Sequence, residues 1–123
     1  MASLRILLVD DFTPWRNYVV SILQERQCFD VVGEAADGQE AIERATELQP
    51  DLILMDIAMP KMNGIEAARR IRDSAPNSKI LFFSVEISDE LAEAALAVGG
   101  QGYIVKKEVR AKLLPSIDNL FGK

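Results

Sequence analysis

The sequence predicts an α/β protein in which a five-stranded parallel β-sheet is covered by helices on both faces. Short apolar, β-branched runs alternate with segments of helical periodicity along all 123 residues, and the run at residues 52–55 is apolar throughout. Strict alternation of strand and helix is typical of parallel sheets, and an entirely apolar strand belongs in the centre of such a sheet. Right-handed crossovers then favour the strand order 2-1-3-4-5 of the flavodoxin-like, doubly wound folds.

The individual elements follow from the same patterns. Strands are predicted at the apolar runs, which lie at residues 5–9, 29–34, 52–55, 79–84 and 103–105. Helices are predicted where apolar residues recur with helical spacing, at residues 14–26, 38–48, 63–74, 89–98 and 108–121. Thr13 is predicted to cap the first helix, with Pro14 at its first position, and Ser88 is predicted to cap the fourth. Pro115 falls inside the last helix, which must accommodate it or kink there.

The composition is that of a soluble globular domain and excludes several classes of protein. The net charge is −5 without a Lys/Arg-rich run, so no nucleic-acid-binding surface is expected in this segment. No apolar stretch reaches the roughly 20 residues of a membrane span, and the N-terminus lacks a signal-peptide pattern. The single Cys28 cannot form an internal disulfide. We therefore expect one cytoplasmic domain over residues 1–123, with neither nucleic acid nor membrane as a partner.

Three carboxylates follow the two strands that flank the predicted switch point of the sheet. Asp10 and Asp11 end the first strand, and Asp56 ends the third. Each alone would serve equally well as a turn or cap residue, but the carboxyl ends of neighbouring parallel strands meet in one crevice. Crowded carboxylates repel one another unless a cation lies among them. Because the chain has no histidine and this cluster offers only oxygen ligands, the expected cation is Mg²⁺.

The fourth and fifth strands bring a hydroxyl and an ammonium group to the same edge of the sheet. Ser84 ends the fourth strand, and Lys106 follows the fifth. Alone, Ser84 is an ordinary strand-end residue and Lys106 an ordinary solvated lysine. Together with the carboxylates they are suited to a phosphoryl group, because lysine neutralises its charge and serine donates a hydrogen bond to it.

These segments give the chain a resemblance to a known family. Residues 6–11 (ILLVDD), residues 51–64 (DLILMDIAMPKMNG), Ser84 and residues 102–106 (GYIVK) stand in the order found in response-regulator receiver domains. The resemblance covers essentially the whole chain. Residues 59–67, and Ser84 where threonine is commoner, look most like receivers that are fused to helix-turn-helix DNA-binding domains.

The resemblance implies a role for each acidic residue. Asp56 matches the aspartate that accepts a phosphoryl group from a sensor histidine kinase. Asp10 and Asp11 match the acidic pair that binds Mg²⁺ together with Asp56, and the backbone carbonyl of Ala58 matches the position that completes the metal's coordination.

The resemblance also implies a conformational switch. Lys106 matches the lysine that pairs with the phosphate, and Ser84 matches the hydroxyl that moves toward it. Tyr103 matches the aromatic residue that turns between exposed and buried states. A proline commonly follows the lysine in this family, whereas this chain has Lys107.

The function expected from the resemblance is a phosphorylation-controlled switch in two-component signalling. It would regulate transcription through an effector domain absent here, in which case residues 1–123 are a receiver domain excised from a longer regulator. It could form homodimers through helix 4, strand 5 and helix 5 or through helices 1 and 5. It is not expected to be an enzyme, although it would catalyse its own phosphorylation and slow dephosphorylation. The alternatives are a stand-alone regulator acting by protein–protein interaction and a phosphorylation-independent pseudo-receiver.

Two enzymatic or ligand-binding alternatives fit the sequence less well. A phosphatase of the haloacid dehalogenase type needs a second aspartate two positions after the nucleophile, where Ala58 stands. A nucleotide-binding protein would carry a glycine-rich loop after the first strand, whereas this chain places Asp10 and Asp11 there, and their charges would repel a pyrophosphate.

Overall fold

The computed structural model describes residues 3–122 and confirms the predicted fold class. Five parallel strands form one sheet in the order β2-β1-β3-β4-β5. The strands are β1 (Leu4–Val9), β2 (Phe29–Ala35), β3 (Leu52–Asp56), β4 (Lys79–Ser84) and β5 (Gly102–Val105). The helices are α1 (Thr13–Leu23), α2 (Gly38–Leu48), α3 (Gly64–Ser74), α4 (Asp89–Ala97) and α5 (Val109–Leu120). A 3₁₀ turn, Lys106–Glu108, joins β5 to α5.

Successive strand residues point to opposite sides of the sheet, and both faces are buried because helices cover each of them. One face carries Ile53 and Phe82 and packs against α2, α3 and α4. The other face carries Leu54 and Phe83 and packs against α1 and α5. The central strand β3 is buried at every position, as its apolar sequence predicted. Within the described residues, no helix is long and apolar enough to cross a bilayer.

The start of α1 differs from the prediction. Thr13 was expected to be the N-cap, but Phe12 occupies that position and makes no side-chain cap, while Thr13 is the first helical residue. The Asp10 carboxylate accepts a hydrogen bond from the Phe12 N–H at 2.8 Å, which fixes the turn one residue earlier. The Thr13 hydroxyl instead accepts a hydrogen bond from Arg16 at 3.2 Å. The predicted cap of α4 is confirmed, because the Ser88 hydroxyl accepts the Leu91 N–H at 3.1 Å.

The end of α1 was also placed wrongly, at residue 26 rather than Leu23. The residues that follow Leu23 make tertiary contacts instead of continuing the helix. Arg26 binds Asp118 of α5 at 2.8 Å, and the Cys28 carbonyl accepts the Leu4 N–H at 2.7 Å, which aligns β2 beside β1. In α5 the helix continues through Pro115, and no cis peptide bond occurs in the part of the chain that the structure describes.

Candidate functional site

The carboxyl ends of β1 and β3 bring three carboxylates together. One oxygen from each of Asp10, Asp11 and Asp56 lies within 4.8 Å of the others. The side chain of Asp10 is fully buried and Asp56 is 4% exposed, whereas Asp11 faces solvent. The cluster therefore has two buried members on the sheet and one exposed member at its rim.

Local hydrogen bonds hold Asp10 in place. Its carboxylate accepts the Phe12 N–H at 2.8 Å and a hydrogen bond from the Lys106 ammonium group at 2.8 Å. Its backbone carbonyl accepts a hydrogen bond from the guanidinium of Arg16, which also binds Glu34 at 2.8 Å. Nothing in the sequence indicated this second set of contacts. The loop after β1 is thus held at both the side chain and the backbone of Asp10.

Lys106 supplies a positive charge to the cluster. Its Nζ lies 2.8 Å from Asp10 Oδ2 and 3.6 Å from Asp56 Oδ2, and its side chain is only 18% exposed. The same Nζ lies 4.9 Å from the centre of the Trp15 ring. Because Lys106 stands where β5 ends, the sheet itself brings the ammonium group to the carboxylates.

Asp56 is held in an environment that disfavours its charge. Burial of the carboxyl group, with a further contribution from the negative charge of Asp10, raises the pKa of Asp56 to about 6. Lys106 and the backbone N–H of Ala58, which donates to Asp56 Oδ1 at 3.3 Å, lower it, while the charge of Asp11 raises it. At neutral pH the carboxylate is mostly ionised and its charge is only partly compensated by the protein.

This raised pKa predicts how Asp56→Asn changes stability in Mg²⁺-free buffer. The pKa in the unfolded chain is near 3.8, so the charged form costs stability fully above about pH 6, and the cost disappears as pH falls toward 4. We expect Asp56→Asn to be more stable than the wild type at pH 7, by about 1–2 kcal/mol, because the rise in pKa sets an upper bound on the cost of the charge. Thermal melting should show a rise of roughly 4–8 °C at pH 7 that vanishes near pH 4.

The matched control for this experiment is Asp73→Asn, on the exposed face of α3. At pH 7 its melting temperature should differ from that of the wild type by much less than that of Asp56→Asn, because an exposed charge contributes little to stability. An Asp56→Asn variant that is less stable than the wild type at pH 7, or a gain that persists unchanged at pH 4, would contradict the electrostatic account of Asp56.

Gly64 is a second feature that the sequence argument missed. It is the first residue of α3, and a Cβ there would lie 2.2 Å from the Asp56 carbonyl oxygen and 3.0 Å from Ile57 Cα. The Gly64 N–H donates to the Ile57 carbonyl at 2.7 Å. The start of α3 therefore lies directly against the backbone of Asp56. Glycine is a poor helix former and could have been a signal of a close approach to backbone atoms, but Gly38 begins α2 in the same way without one, so the sequence alone does not single out Gly64.

The two predicted switch residues lie on β4 and β5, the strands that follow β3 in the sheet. Ser84 is 7% exposed and lies at the same edge of the sheet as the carboxylates, but its hydroxyl donates a hydrogen bond to the carbonyl of Glu86. Tyr103 pairs with Phe82 across β4 and β5 and is 42% exposed. The roles of Ser84, Tyr103 and the Ala58 carbonyl remain predictions.

Comparisons with known proteins agree with this arrangement. Residues 6–118 match the family model of the response regulator receiver domain. The chain is 41% identical over 103 residues to the transcriptional regulatory protein LnrK of Bacillus subtilis, covering 84% of this chain and 47% of LnrK. The chain spans about half the length of the curated relatives it matches.

Solved structures give the same result. A two-component response regulator of the LuxR family from Aurantimonas superposes with a TM-score of 0.93 at 34% identity, covering 98% of this chain and 86% of that chain. A chain in the CheX-CheY-BeF3-Mg²⁺ complex from Borrelia burgdorferi superposes with a TM-score of 0.92 at 29% identity, covering 99% of this chain and 92% of that chain. The resemblance read from the sequence is confirmed, and the chain belongs to the response regulator receiver domain family.

Proposed function

We propose that Asp56 accepts a phosphoryl group and that the resulting charge switches an output surface of this domain. The observation that carries the proposal is the grouping of Asp56 with two further carboxylates and the Lys106 ammonium group at one edge of the sheet. Membership of the receiver family supports it. The domain would act on itself rather than as an enzyme with a separate substrate, and would also lose the phosphoryl group slowly.

The carboxylate cluster is suited to Mg²⁺. Three carboxylates offer oxygen ligands within 4.8 Å of one another, two of them buried, and the charge of Lys106 alone does not balance them. We assign the metal to Asp10, Asp11 and Asp56, with the Ala58 carbonyl as a further ligand. When bound, the metal would supply positive charge beside the phosphoryl oxygens. A similar chain was solved in a complex that includes BeF3 and Mg²⁺.

The chemistry of transfer then depends on position and charge. An ionised oxygen of Asp56 forms the new bond to phosphorus, while the bond to the imidazole nitrogen of a sensor histidine kinase breaks and that nitrogen leaves with the electron pair. A pKa of about 6 leaves Asp56 ionised at neutral pH and able to attack. The ammonium group of Lys106, 3.6 Å from Asp56 Oδ2, is placed to offset charge on the transferred group.

The switch would follow from a change of hydrogen-bond partner. The Ser84 hydroxyl is engaged with the Glu86 carbonyl, and a phosphoryl group on Asp56 would offer it a charged acceptor. Movement of Ser84 would free space for Tyr103 to turn inward. This requires that the phosphate binds the arrangement with Tyr103 turned inward better than the arrangement with Tyr103 exposed.

The exposed apolar side chains near this switch support a surface for homodimerisation through α4, β5 and α5. Leu96 on α4 is 63% exposed and Tyr103 on β5 is 42% exposed. A surface of α1 and α5 is the alternative.

The output is proposed from the relatives. LnrK is a transcriptional regulatory protein, and this chain matches about half of its length. We propose that the domain acts in the cytoplasm and regulates transcription through an effector domain outside residues 1–123. Nucleic acid and membrane are not proposed as partners of this segment.

Intact-mass measurement tests the proposed function. The protein is incubated with acetyl phosphate and Mg²⁺, and the expected result is the gain of one phosphoryl group. Asp56→Asn, and wild type with the metal chelated, should show no gain. An unmodified wild type, or equal modification of Asp56→Asn, would contradict the proposal.

Trp15 fluorescence tests the metal site without phosphorylation. Trp15 is the sole tryptophan, and its ring contacts the Lys106 ammonium group that binds Asp10. Because a cation bound among the carboxylates competes with Lys106, we expect a saturable change in emission as Mg²⁺ is added. Asp11→Asn should weaken the apparent affinity about tenfold or more, whereas Asp73→Asn should leave it unchanged. No change at saturating Mg²⁺, or the same titration in both variants, would rule out the assigned site.

A further inference from the structure

The Trp15 side chain lies between α1 and the lysine of the carboxylate cluster. Its ring packs edge-on against Phe83 of β4, with ring centres 5.4 Å apart, and tilted against Tyr18, at 5.9 Å. The Lys106 Nζ lies 4.9 Å from the ring centre. Phe83 is fully buried and pairs in register with Asp56. The ring therefore rests on the part of the sheet that carries Asp56 and presents itself to Lys106.

The surroundings of Lys106 show what the ring contributes. Two carboxylates attract the ammonium group, Asp10 at 2.8 Å and Asp56 at 3.6 Å. Asp10 is the nearer partner, so charge alone would draw Lys106 toward β1 and away from the phosphoryl acceptor. An aromatic face attracts a cation within about 6 Å through its negative quadrupole. The Trp15 ring thus gives the ammonium group a third, uncharged partner that a metal among the carboxylates does not neutralise.

The indole N–H argues against a different role for Trp15. Trp15 Nε1 is buried and finds no hydrogen-bond partner among residues 3–122. The ring is therefore positioned by its contacts with Phe83 and Tyr18 rather than by its polar atom. What the site uses is the ring face, and a phenylalanine would retain such a face without losing a hydrogen bond.

We propose that Trp15 is a positioning residue for the phosphorylation site: its ring face holds the Lys106 ammonium group within reach of the phosphoryl group on Asp56. This inference rests on the proposed function. It concerns how Lys106 is held when a cation competes for the carboxylates, and in it Trp15 acts on the site through Lys106.

The test compares Trp15→Leu with Trp15→Phe. With acetyl phosphate and saturating Mg²⁺, Trp15→Leu should be phosphorylated about threefold to thirtyfold more slowly than the wild type, and Trp15→Phe should recover most of the rate. The second readout is the proton resonance of the Lys106 ε-methylene group, which the ring current of Trp15 shifts upfield. That shift should be lost in Trp15→Leu and partly kept in Trp15→Phe, whether or not the protein is phosphorylated.

A second lysine–aromatic pair provides the matched control. Lys79 Nζ lies 4.9 Å from the centre of the Phe121 ring, away from the carboxylates. Phe121→Leu should move the Lys79 resonance and leave both the Lys106 resonance and the phosphorylation rate unchanged. If wild-type protein is phosphorylated and Trp15→Leu matches its rate, or if the Lys106 resonance does not move, the positioning role is wrong. A different result is an unphosphorylated wild type together with loss of the upfield shift in Trp15→Leu. That result would establish the contact between Lys106 and the Trp15 ring, but it would overturn the proposed function and with it the role of Trp15 in phosphorylation.

Discussion

Replacing Lys106 with methionine should lower the free energy of unfolding by about 2–4 kcal/mol in Mg²⁺-free buffer at pH 7. Methionine has a similar length and can still pack on Trp15, so the change removes mainly the charge. Asp10 is fully buried and would keep only the Phe12 N–H as a partner at its carboxylate. Removing one partner of a buried ion pair leaves the other charge buried without an opposite charge beside it, and this is strongly destabilising.

Urea denaturation of Lys106→Met beside Lys112→Met measures this effect. Lys112 pairs with Glu108 at 3.3 Å on the surface, where both side chains are more than one third exposed. Its replacement should cost less than about 1 kcal/mol, as exposed ion pairs do. Added Mg²⁺ should restore part of the stability of Lys106→Met, because a bound cation stabilises the folded state by mass action. Equal costs for the two variants would show that Lys106 does not compensate Asp10.

Replacing Gly64 with alanine should destabilise the protein by about 3 kcal/mol or more and slow the phosphorylation of Asp56. The added Cβ would lie 2.2 Å from the Asp56 carbonyl oxygen, and backbone atoms at the end of the buried β3 cannot move away as a flexible side chain can. Either α3 shifts outward or the end of β3 moves, and the second response displaces the Asp56 carboxylate.

Gly38→Ala is the matched control for this variant. Gly38 is also the first residue of a helix. Both helices have an Asx residue as N-cap, Asp37 before Gly38 and Asn63 before Gly64. The three atoms nearest to a Cβ at Gly38 are the Cβ, Sδ and Cγ of Met62, at 3.0–3.1 Å. The Cγ and Sδ belong to a flexible side chain that can rearrange, whereas the atoms nearest to a Cβ at Gly64 are backbone atoms. Urea denaturation should place Gly38→Ala within about 1 kcal/mol of the wild type. Similar losses for the two variants would mean that the contact with Asp56 is not the cause.

The fold was predictable because its signals are redundant. Apolar runs, helical periodicity and handedness rules all favoured one sheet order, and the order β2-β1-β3-β4-β5 is observed. The same order placed Asp10, Asp11 and Asp56 at neighbouring strand ends, which the structure brings within 4.8 Å of one another. Topology therefore carried the prediction of the cluster, and no side-chain detail was needed for it.

The details that failed depend on tertiary contacts. Thr13 has the chemistry of an N-cap, but the Asp10 carboxylate binds the Phe12 N–H and fixes the turn earlier. The end of α1 is set by the contact of Arg26 with Asp118, which is 92 residues away in sequence. Local propensity cannot contain such information.

The contacts of the site side chains were likewise beyond the sequence. The Ser84 hydroxyl can turn toward several acceptors, and its binding to the Glu86 carbonyl depends on the course of the loop after β4. Trp15 lies near the start of α1, and its contact with Lys106 depends on how α1 lies across the sheet. Each of these contacts depends on which of several side-chain rotamers is occupied, and those rotamers differ little in energy.

Mapping the modified residue by peptide mass spectrometry determines whether Asp56 is the phosphoryl acceptor. After incubation with acetyl phosphate and Mg²⁺, borohydride reduces an aspartyl phosphate to homoserine, which peptide mass spectrometry locates in the sequence. The account predicts homoserine in place of Asp56, in the peptide that contains residues 52–56, and none in Asp56→Asn. Modification at Asp10, Asp11 or any other position, or an unmodified protein under these conditions, would contradict it.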